Sequence, residues 1–266
     1  MIYRKYCDIV LYGNNEDFFK AVKQLEELGT IEAVEVLLKI LFHDPKGLPN
    51  GDDLYRSYAI KPLIRLWKIA PEKIIPLIPI FCKYNLNDEG FVSIEDVLVK
   101  MRDEIGKEKL QKAFISGLND YDYRVRVGTI YCSVFDHIIE DNLPLLVDDY
   151  KIETNVDTQN AIESILLDNI NEEIAEMFFE LLKNFRINLD DVTSITWKEE
   201  MYGTNEMLRK VTSIFLRKWK EEEDSTIREL IHSLVELLVS DSEWDVSKHL
   251  NKDEVNQLQE MGIGKN

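Results

Sequence analysis

A group of possible metal ligands near the middle of the chain is the most obvious source of chemistry. Asp136, His137, Glu140 and Asp141 supply an imidazole and three carboxylates, the groups that bind zinc in many proteins. Their spacing is equally that of the solvated surface of one helix, where charged side chains usually lie. The other histidines are dispersed, at His43, His232 and His249. We therefore expect no metal site.

Adjacent carboxylates could in principle act as paired acid–base groups. The pairs are Asp148-Asp149, Asp190-Asp191 and Glu199-Glu200. Neighbouring residues of a helix point in different directions, so these pairs are poorly placed for joint catalysis. The sequence also lacks a phosphate-binding loop, a nucleophile elbow and a His-Glu-x-x-His motif. It predicts no catalytic residue and no cofactor.

The cysteines are Cys7, Cys82 and Cys132, an odd number without Cys-x-x-Cys spacing. This usage is typical of reduced, mostly buried thiols in a cytoplasmic protein, and we expect Cys132 to be a core residue. The N-terminal apolar run is too short for a secretory signal, and no segment approaches the ~20 apolar residues of a transmembrane helix. We expect a cytoplasmic protein without a membrane partner.

The net charge of −18 is concentrated in the second half of the chain. Residues 1–133 contain 19 Lys+Arg and 20 Asp+Glu, a net −1, whereas residues 134–266 contain 13 and 30, a net −17. Such a surface repels nucleic-acid phosphates and anionic membranes. It attracts basic protein surfaces, although solubility alone also explains an acidic exterior.

Apolar residues recur at helical spacing along most of the chain, without the alternation of a strand. Gly29 has the place of a helix C-cap, and Thr30 that of the next N-cap. The prolines at 71, 76 and 79 predict irregular structure over residues 71–84. We expect an all-α protein of about 10–13 helices joined by short loops.

Residues 107–135 contain two helical patterns that meet across a short polar elbow, residues 119–122. The first pattern has Leu110, Phe114 and Leu118 at helical spacing. The second begins with Val125-Arg126 and continues through Val134. Such a helix pair cannot bury its apolar face alone, so neighbouring pairs must stack on it.

This stretch resembles a HEAT repeat, in which the first helix ends in Leu-x-Asp and the second begins with Val-Arg. Leu118-Asn119-Asp120 and Val125-Arg126 match these positions, and Thr129 occupies the place of a small residue one turn on. A weaker match has Arg56 and Ala59 at the same spacing, 70 residues before Arg126. One degenerate unit between them fits a ~40-residue period.

The resemblance implies a right-handed α-solenoid of antiparallel helix pairs. In such repeats the elbow Asp caps the second helix, the Arg reaches the neighbouring repeat, and the small residue lets helices approach closely. Residues 1–150 are interpreted as HEAT-like repeats. Residues 151–266, where only helical pairing survives, are a diverged continuation or a helical cap, and the whole of 1–266 could form one domain.

HEAT-like solenoids present a curved surface to protein partners, so we expect a non-catalytic interaction module that offers an acidic surface to a basic protein. Aromatic residues in an irregular acidic segment, residues 186–203, are candidate anchors, or else they cover the end of the core. The candidate partner-binding residues are Trp197, Glu199, Glu200, Tyr202, Glu221, Glu222, Glu223 and Asp224.

Three alternatives remain at this point. A small acidic protein without catalytic residues also fits an immunity or inhibitor protein that neutralises a basic enzyme. Some HEAT-like proteins resemble DNA glycosylases for alkylated bases, which need a cationic groove; the acidity of this chain disfavours that function and nucleic acid as a partner. Others resemble lyases that handle tetrapyrrole chromophores, and no residue here selects that branch.

Overall fold

The computed structural model describes residues 2–12, 14–42, 52–85, 94–169, 171–185, 205–239 and 250–263. These residues form helices joined by turns, and they contain no strand. The predicted all-α class is therefore confirmed. Within these ranges, none of the helices combines the length and apolar composition needed to cross a bilayer. Helix contacts divide the chain into two compact units, Met1–Ile139 (unit 1) and Glu140–Asn266 (unit 2).

The α-helices of unit 1 are α1 (Ile2–Tyr12), α2 (Asn15–Leu28), α3 (Ile31–Phe42), α4 (Asp52–Arg65), α5 (Pro71–Ile74), α6 (Ile78–Asn85), α7 (Ile94–Ile105), α8 (Lys107–Leu118) and α9 (Tyr123–Tyr131). Short 3₁₀ helices cover Trp67–Ile69, Ile75–Leu77 and Ser133–Phe135. The division between the units falls inside α10 (Asp136–Asp141). Unit 2 continues with α11 (Leu143–Ile152), α12 (Val156–Asp168), α13 (Glu172–Phe185), α14 (Asn205–Glu221), α15 (Ser225–Val239) and α16 (Lys252–Met261).

The described ranges hold more helices than the expected 10–13, because the chain breaks into short helices at two places. The irregular structure predicted for residues 71–84 is confirmed as α5, a 3₁₀ turn and α6, with Pro71 in the first turn of α5. The second break is at Cys132, whose extended backbone ends α9 at Tyr131. The prediction that this helix continues through Val134 is therefore wrong, although Cys132 itself is buried as expected.

Local signals place the first helix boundaries. Gly29 has the left-handed conformation (φ 55°) and ends α2, as predicted. The Thr30 hydroxyl oxygen accepts a hydrogen bond from the backbone N–H of Ala33 at 3.3 Å, which confirms Thr30 as an N-cap.

Several contacts between helices join residues that are separated by a nearly constant number of positions in the sequence. The rings of Phe19 (α2) and Tyr58 (α4) lie 4.5 Å apart between centroids, and Glu26 of α2 pairs with Arg65 of α4 at 2.7 Å. Both pairs join residues that are 39 positions apart. A constant offset means that α2 and α4 run parallel. In unit 2, α13 and α14 also run parallel, because Glu172 pairs with Lys210 and Glu176 with Arg217, at offsets of 38 and 41.

Small residues allow a close helix contact at the centre of unit 1. A Cβ atom at Gly128 of α9 would lie 2.6 Å from the Lys83 backbone nitrogen and 2.7 Å from the Cys82 carbonyl carbon of α6. Thr129, the residue at the small position of the resemblance, is fully buried. Its hydroxyl donates to the Val125 carbonyl at 2.7 Å, so no polar atom is left unsatisfied there.

The elbow between α8 and α9, residues 119–122, is fixed by its own polar groups. Asp122 caps α9, since its Oδ1 accepts from the Arg124 N–H at 3.0 Å. Its Oδ2 accepts from Lys83 Nζ of α6 at 2.8 Å. Arg126 donates to the carbonyl oxygens of Asp120 and Tyr121. The inter-helix ion pair of this elbow therefore uses Lys83, which the sequence pattern did not single out.

Candidate protein-interaction surface

Half of the predicted partner-binding residues cannot be placed. Trp197, Glu199, Glu200 and Tyr202 lie outside the described residues. The other four, Glu221 to Asp224, connect α14 to α15 and are described in full.

Two residues of this acidic run have local structural roles. Glu222 Oε1 accepts hydrogen bonds from the N–H groups of Glu223 and Asp224, at 3.0 and 3.1 Å. Asp224 Oδ1 accepts from the Thr226 N–H at 2.8 Å and so caps α15. Glu221 and Glu223 are exposed. The run is thus a helix connection whose carboxylates are partly used by the backbone.

Basic side chains lie beside the acidic run Glu221 to Asp224. Glu221 is at the edge of a groove of about 750 Å³ between α14 and α16. Its lining is mixed in charge, with Arg217 and Lys220 as well as Glu221 and Glu254. Glu176 of α13 is likewise neutralised by α14, because the Lys218 ammonium hydrogen-bonded to it lowers the pKa of that carboxyl. α13 has four Glu and one Lys, a net charge of −3, and α14 has five Lys+Arg and two Glu, a net charge of +3, so the acidity of α13 is balanced by α14.

The connection between α11 and α12 has a different character. Glu153 Oε1 accepts from the N–H groups of Thr154 and Asn155, both at 2.8 Å. Asn155 caps α12 by accepting from the Thr158 N–H at 3.0 Å, and the Gln159 side chain donates to the Glu153 carbonyl at 2.9 Å. This connection is held in one conformation by hydrogen bonds at each of its residues.

A buried polar contact holds the two helices together beneath this connection. The Tyr150 hydroxyl of α11 donates to Glu163 Oε1 of α12 at 2.5 Å, and both residues are only 4% exposed. Burial and the hydrogen bond to the Glu163 carboxylate raise the pKa of Tyr150 far above its usual value. The phenol therefore remains a neutral donor at physiological pH.

Two aliphatic side chains project from this fixed connection. Ile152 ends α11 with 79% of its surface exposed, and Val156 begins α12 with 60% exposed. Such side chains normally contribute to folding by burial, so exposing both within five residues leaves apolar surface uncovered. Because the backbone between them is already ordered, a partner that covers them incurs little entropy cost.

Carboxylate residues flank these two aliphatic residues in the sequence. Residues 148–157, which we call the acidic turn, contain Asp148, Asp149, Glu153 and Asp157, and Lys151 as the one cation of that segment. Lys151 pairs with Asp148 at 2.7 Å. Asp149 has one buried carboxylate oxygen without a hydrogen-bond partner among the described residues. Burial raises the pKa of Asp149, and the negative charges of Asp148 and Glu153 raise it further. The acidic turn thus has four carboxylates and a single lysine, which pairs with Asp148.

Sequence reasoning missed this surface, although one signal was present. In the sequence, Asp148-Asp149 is only a poor catalytic pair. The β-branched residues Ile152 and Val156 give no sequence signal of exposure, because each fits an amphipathic helix equally well. Their position at the junction of two helices, between acidic residues, is the pattern that could have identified them.

Several groups considered for chemistry, namely His43, Asp190-Asp191, Glu199-Glu200 and His249, lie outside the described residues. Among the described residues, no three His, Cys, Asp or Glu side chains are arranged to hold a metal ion. His137 and Asp136 are exposed on α10. Comparisons of the whole chain with protein-family models, curated proteins and solved structures find no match. Function must therefore be argued from the surface itself.

Proposed function

We propose that this protein is a non-catalytic interaction module that binds a basic protein through its acidic second half. The observation that carries this proposal is the acidic turn, where a rigid backbone exposes Ile152 and Val156 among four carboxylates. An apolar centre with a charged rim is the usual anatomy of a protein interface. The exposed carboxylates of Asp148 and Asp157 add positions at which a partner's Lys or Arg can pair.

We further infer that the helices of each unit stack as HEAT-like α-solenoid repeats. The support is the offset of 38–41 residues that recurs in the ion pairs Glu26–Arg65, Lys83–Asp122, Glu172–Lys210 and Glu176–Arg217. A repeat of that length places equivalent helices side by side and parallel. A crystal structure in which these pairs did not form would contradict this inference.

Photo-crosslinking tests the proposed surface directly. A photoreactive phenylalanine analogue replaces Ile152 in the full chain, which is exposed to lysate from its own cells, and the crosslinked protein is identified by mass spectrometry. The same analogue at Ile69, which is 41% exposed in unit 1, is the matched control. We expect one basic protein crosslinked at position 152 and not at 69.

Charge reversal then separates the two acidic surfaces of unit 2. With the crosslinked partner purified, Asp148→Lys with Asp157→Lys should weaken binding about 10-fold or more, and the loss should diminish at high salt. The double substitution Glu221→Lys with Glu223→Lys changes the net charge equally, at residues that are also exposed. If only this second pair weakened binding, the interface would be the α14–α15 connection. If neither did, the acidic-surface proposal would be wrong.

A further inference from the structure

A second surface with the opposite charge lies in unit 1, in a groove between the Pro71–Leu77 segment and α8. The groove has a volume of about 340 Å³ and is open to solvent. Its lining residues are Pro71, Glu72, Ile75, Pro76, Lys109, Lys112, Ala113 and Ser116. We call it the α5–α8 groove.

The walls of this groove are preformed. Ile75 and Ala113 are 6% and 3% exposed, so the apolar floor is part of the packed core. Pro71 and Pro76 form one wall, and their fixed φ angles restrict backbone motion there. On the other side, Lys109, Lys112, Ala113 and Ser116 have the spacing of one helix face, which follows α8 for two turns, about 10 Å. The groove therefore has the length of two turns of a docked helix.

The charged lining residues of the groove are two lysines and one glutamate. α8, which forms one side of it, has three lysines and one glutamate, a net charge of +2 in a chain of net charge −18. Lys112 pairs with Glu108 at 2.7 Å, but both side chains are more than 70% exposed, and such pairs are weak and exchange easily. Glu72 is the acidic residue of the lining. Lysines beside an apolar floor favour carboxylates attached to an apolar segment.

We propose that the α5–α8 groove binds an acidic amphipathic helix of a second partner protein. The partner's apolar side chains, at i, i+3 or i+4, and i+7, would pack on Ile75 and Ala113. Its Asp or Glu side chains would pair with Lys109 and Lys112. This inference is independent of the acidic turn, which lies in unit 2. Together the two surfaces would let one chain bridge a basic partner and an acidic one.

The test uses the full chain and two synthetic peptides. One is a fluorescein-labelled 16-residue helix with leucines at i, i+3, i+4 and i+7 and glutamates at its flanking positions, and the other has glutamines in place of the glutamates. Fluorescence anisotropy measures binding of each at low and high salt. We expect the acidic peptide to bind with a salt-sensitive affinity at least about 10-fold above that of the neutral peptide.

Two variants locate the binding. Lys109→Glu with Lys112→Glu should reduce the affinity about 10-fold or more. Lys20→Glu with Lys23→Glu is closely matched, because the two lysines have the same spacing and Lys20 also pairs with a glutamate four residues before it. Ser116→Trp fills the groove at an exposed position and should also reduce binding. Circular dichroism of each variant checks that folding is unchanged.

Several outcomes would overturn the proposal. One is the absence of acidic-peptide binding, and another is equal binding of the neutral peptide. A third is an equal effect of the Lys20/Lys23 variant, which would indicate only a long-range electrostatic effect. Sedimentation of the chain alone provides a further check. A dimer that dissociates in the Lys109/Lys112 variant would identify a second copy of this chain as the occupant.

Discussion

Two helix connections, the α8–α9 elbow of unit 1 and the acidic turn of unit 2, are equally well ordered but use their carboxylates in opposite ways. In the elbow, Asp122 would have a raised pKa from burial alone, yet hydrogen bonds from Arg124 and Lys83 hold the pKa of Asp122 well below its usual value. In the acidic turn, Asp149 has a raised pKa and no such cation. The comparison separates a carboxylate whose charge is stabilised by neighbouring cations from one whose charge is disfavoured by burial and by neighbouring carboxylates.

The largest loss of stability is expected from a substitution at the α6–α9 contact, which lies beside the elbow. In most helices Gly→Ala raises stability by about 1 kcal/mol. In Gly128→Ala the methyl group would collide with backbone atoms of Cys82 and Lys83, which cannot rotate away. We expect a net loss of about 2 kcal/mol in the free energy of unfolding. Hydrogen exchange should show the loss in α6 and α9 and unchanged protection in unit 2.

Ser116→Ala is the control for that experiment, because Ser116 is an exposed residue of neighbouring α8. Its effect should stay within about 0.5 kcal/mol. A Gly128→Ala protein as stable as the wild type would mean that α6 and α9 are farther apart than described.

Removal of single cations distinguishes a buried ion pair from an exposed one. Lys83 and Asp122 are only 13% and 16% exposed, whereas Lys73 and Glu35 form a pair at the same distance, 2.8 Å, with 41% and 51% exposed. Lys83→Met should lower the free energy of unfolding by about 1–2 kcal/mol, since Arg124 still neutralises part of the charge. Lys73→Met should leave the free energy of unfolding nearly unchanged, because the pair is exposed to solvent. Urea denaturation of both variants measures the difference, and equal effects would contradict it.

The two aspartates should respond to pH with opposite signs. The pKa of Asp122 is lower in the folded state, so its contribution to stability is present above pH ~4 and is lost as pH falls. The pKa of Asp149 is higher in the folded state, so it favours folding at low pH and opposes it once pH rises through the folded pKa. At pH 7, Asp122→Asn should destabilise by about 1 kcal/mol, and Asp149→Asn should stabilise by a smaller amount.

Thermal unfolding from pH 3 to pH 8 measures both effects. Asn also caps helices, so Asp122→Asn removes the charge while it retains the cap. The difference for Asp122→Asn should shrink as pH falls below about 4, whereas the difference for Asp149→Asn should already shrink as pH falls through the raised folded pKa of Asp149. Destabilisation of the Asp149→Asn protein at neutral pH would show that Asp149 is a structural carboxylate like Asp122.

The smallest expected effect on stability is at the exposed aliphatic residues. Ile152→Ser with Val156→Ser should change the free energy of unfolding by less than about 0.5 kcal/mol, because these side chains are mostly in solvent. The same double variant should abolish crosslinking from a neighbouring position to the basic partner. A large loss of stability would mean that the two side chains belong to the core.

The parts of the fold that follow from local physical chemistry could be predicted from the sequence. Gly29 and Thr30 mark helix ends by backbone conformation and capping, and prolines alone predict the broken segment 71–84. The pairing of Asp122 with Lys83 could not be predicted from the sequence. It joins residues 39 positions apart, so it depends on which helices pack against each other in the fold. The exposure of Ile152 is likewise a tertiary property, because an aliphatic residue at a helix end looks the same in sequence whether or not another helix covers it.

The recurring offset of 38–41 residues also bears on how the chain folds during its synthesis. Each of these helix contacts can form as soon as about 40 further residues have left the ribosome, without waiting for the C-terminus. Each doubling of loop length adds only about 0.6 kcal/mol to the cost of closing it, so a separation of this size is a modest entropic barrier. Unit 1 can thus complete its core and its groove while unit 2, with its exposed acidic turn, is still being translated.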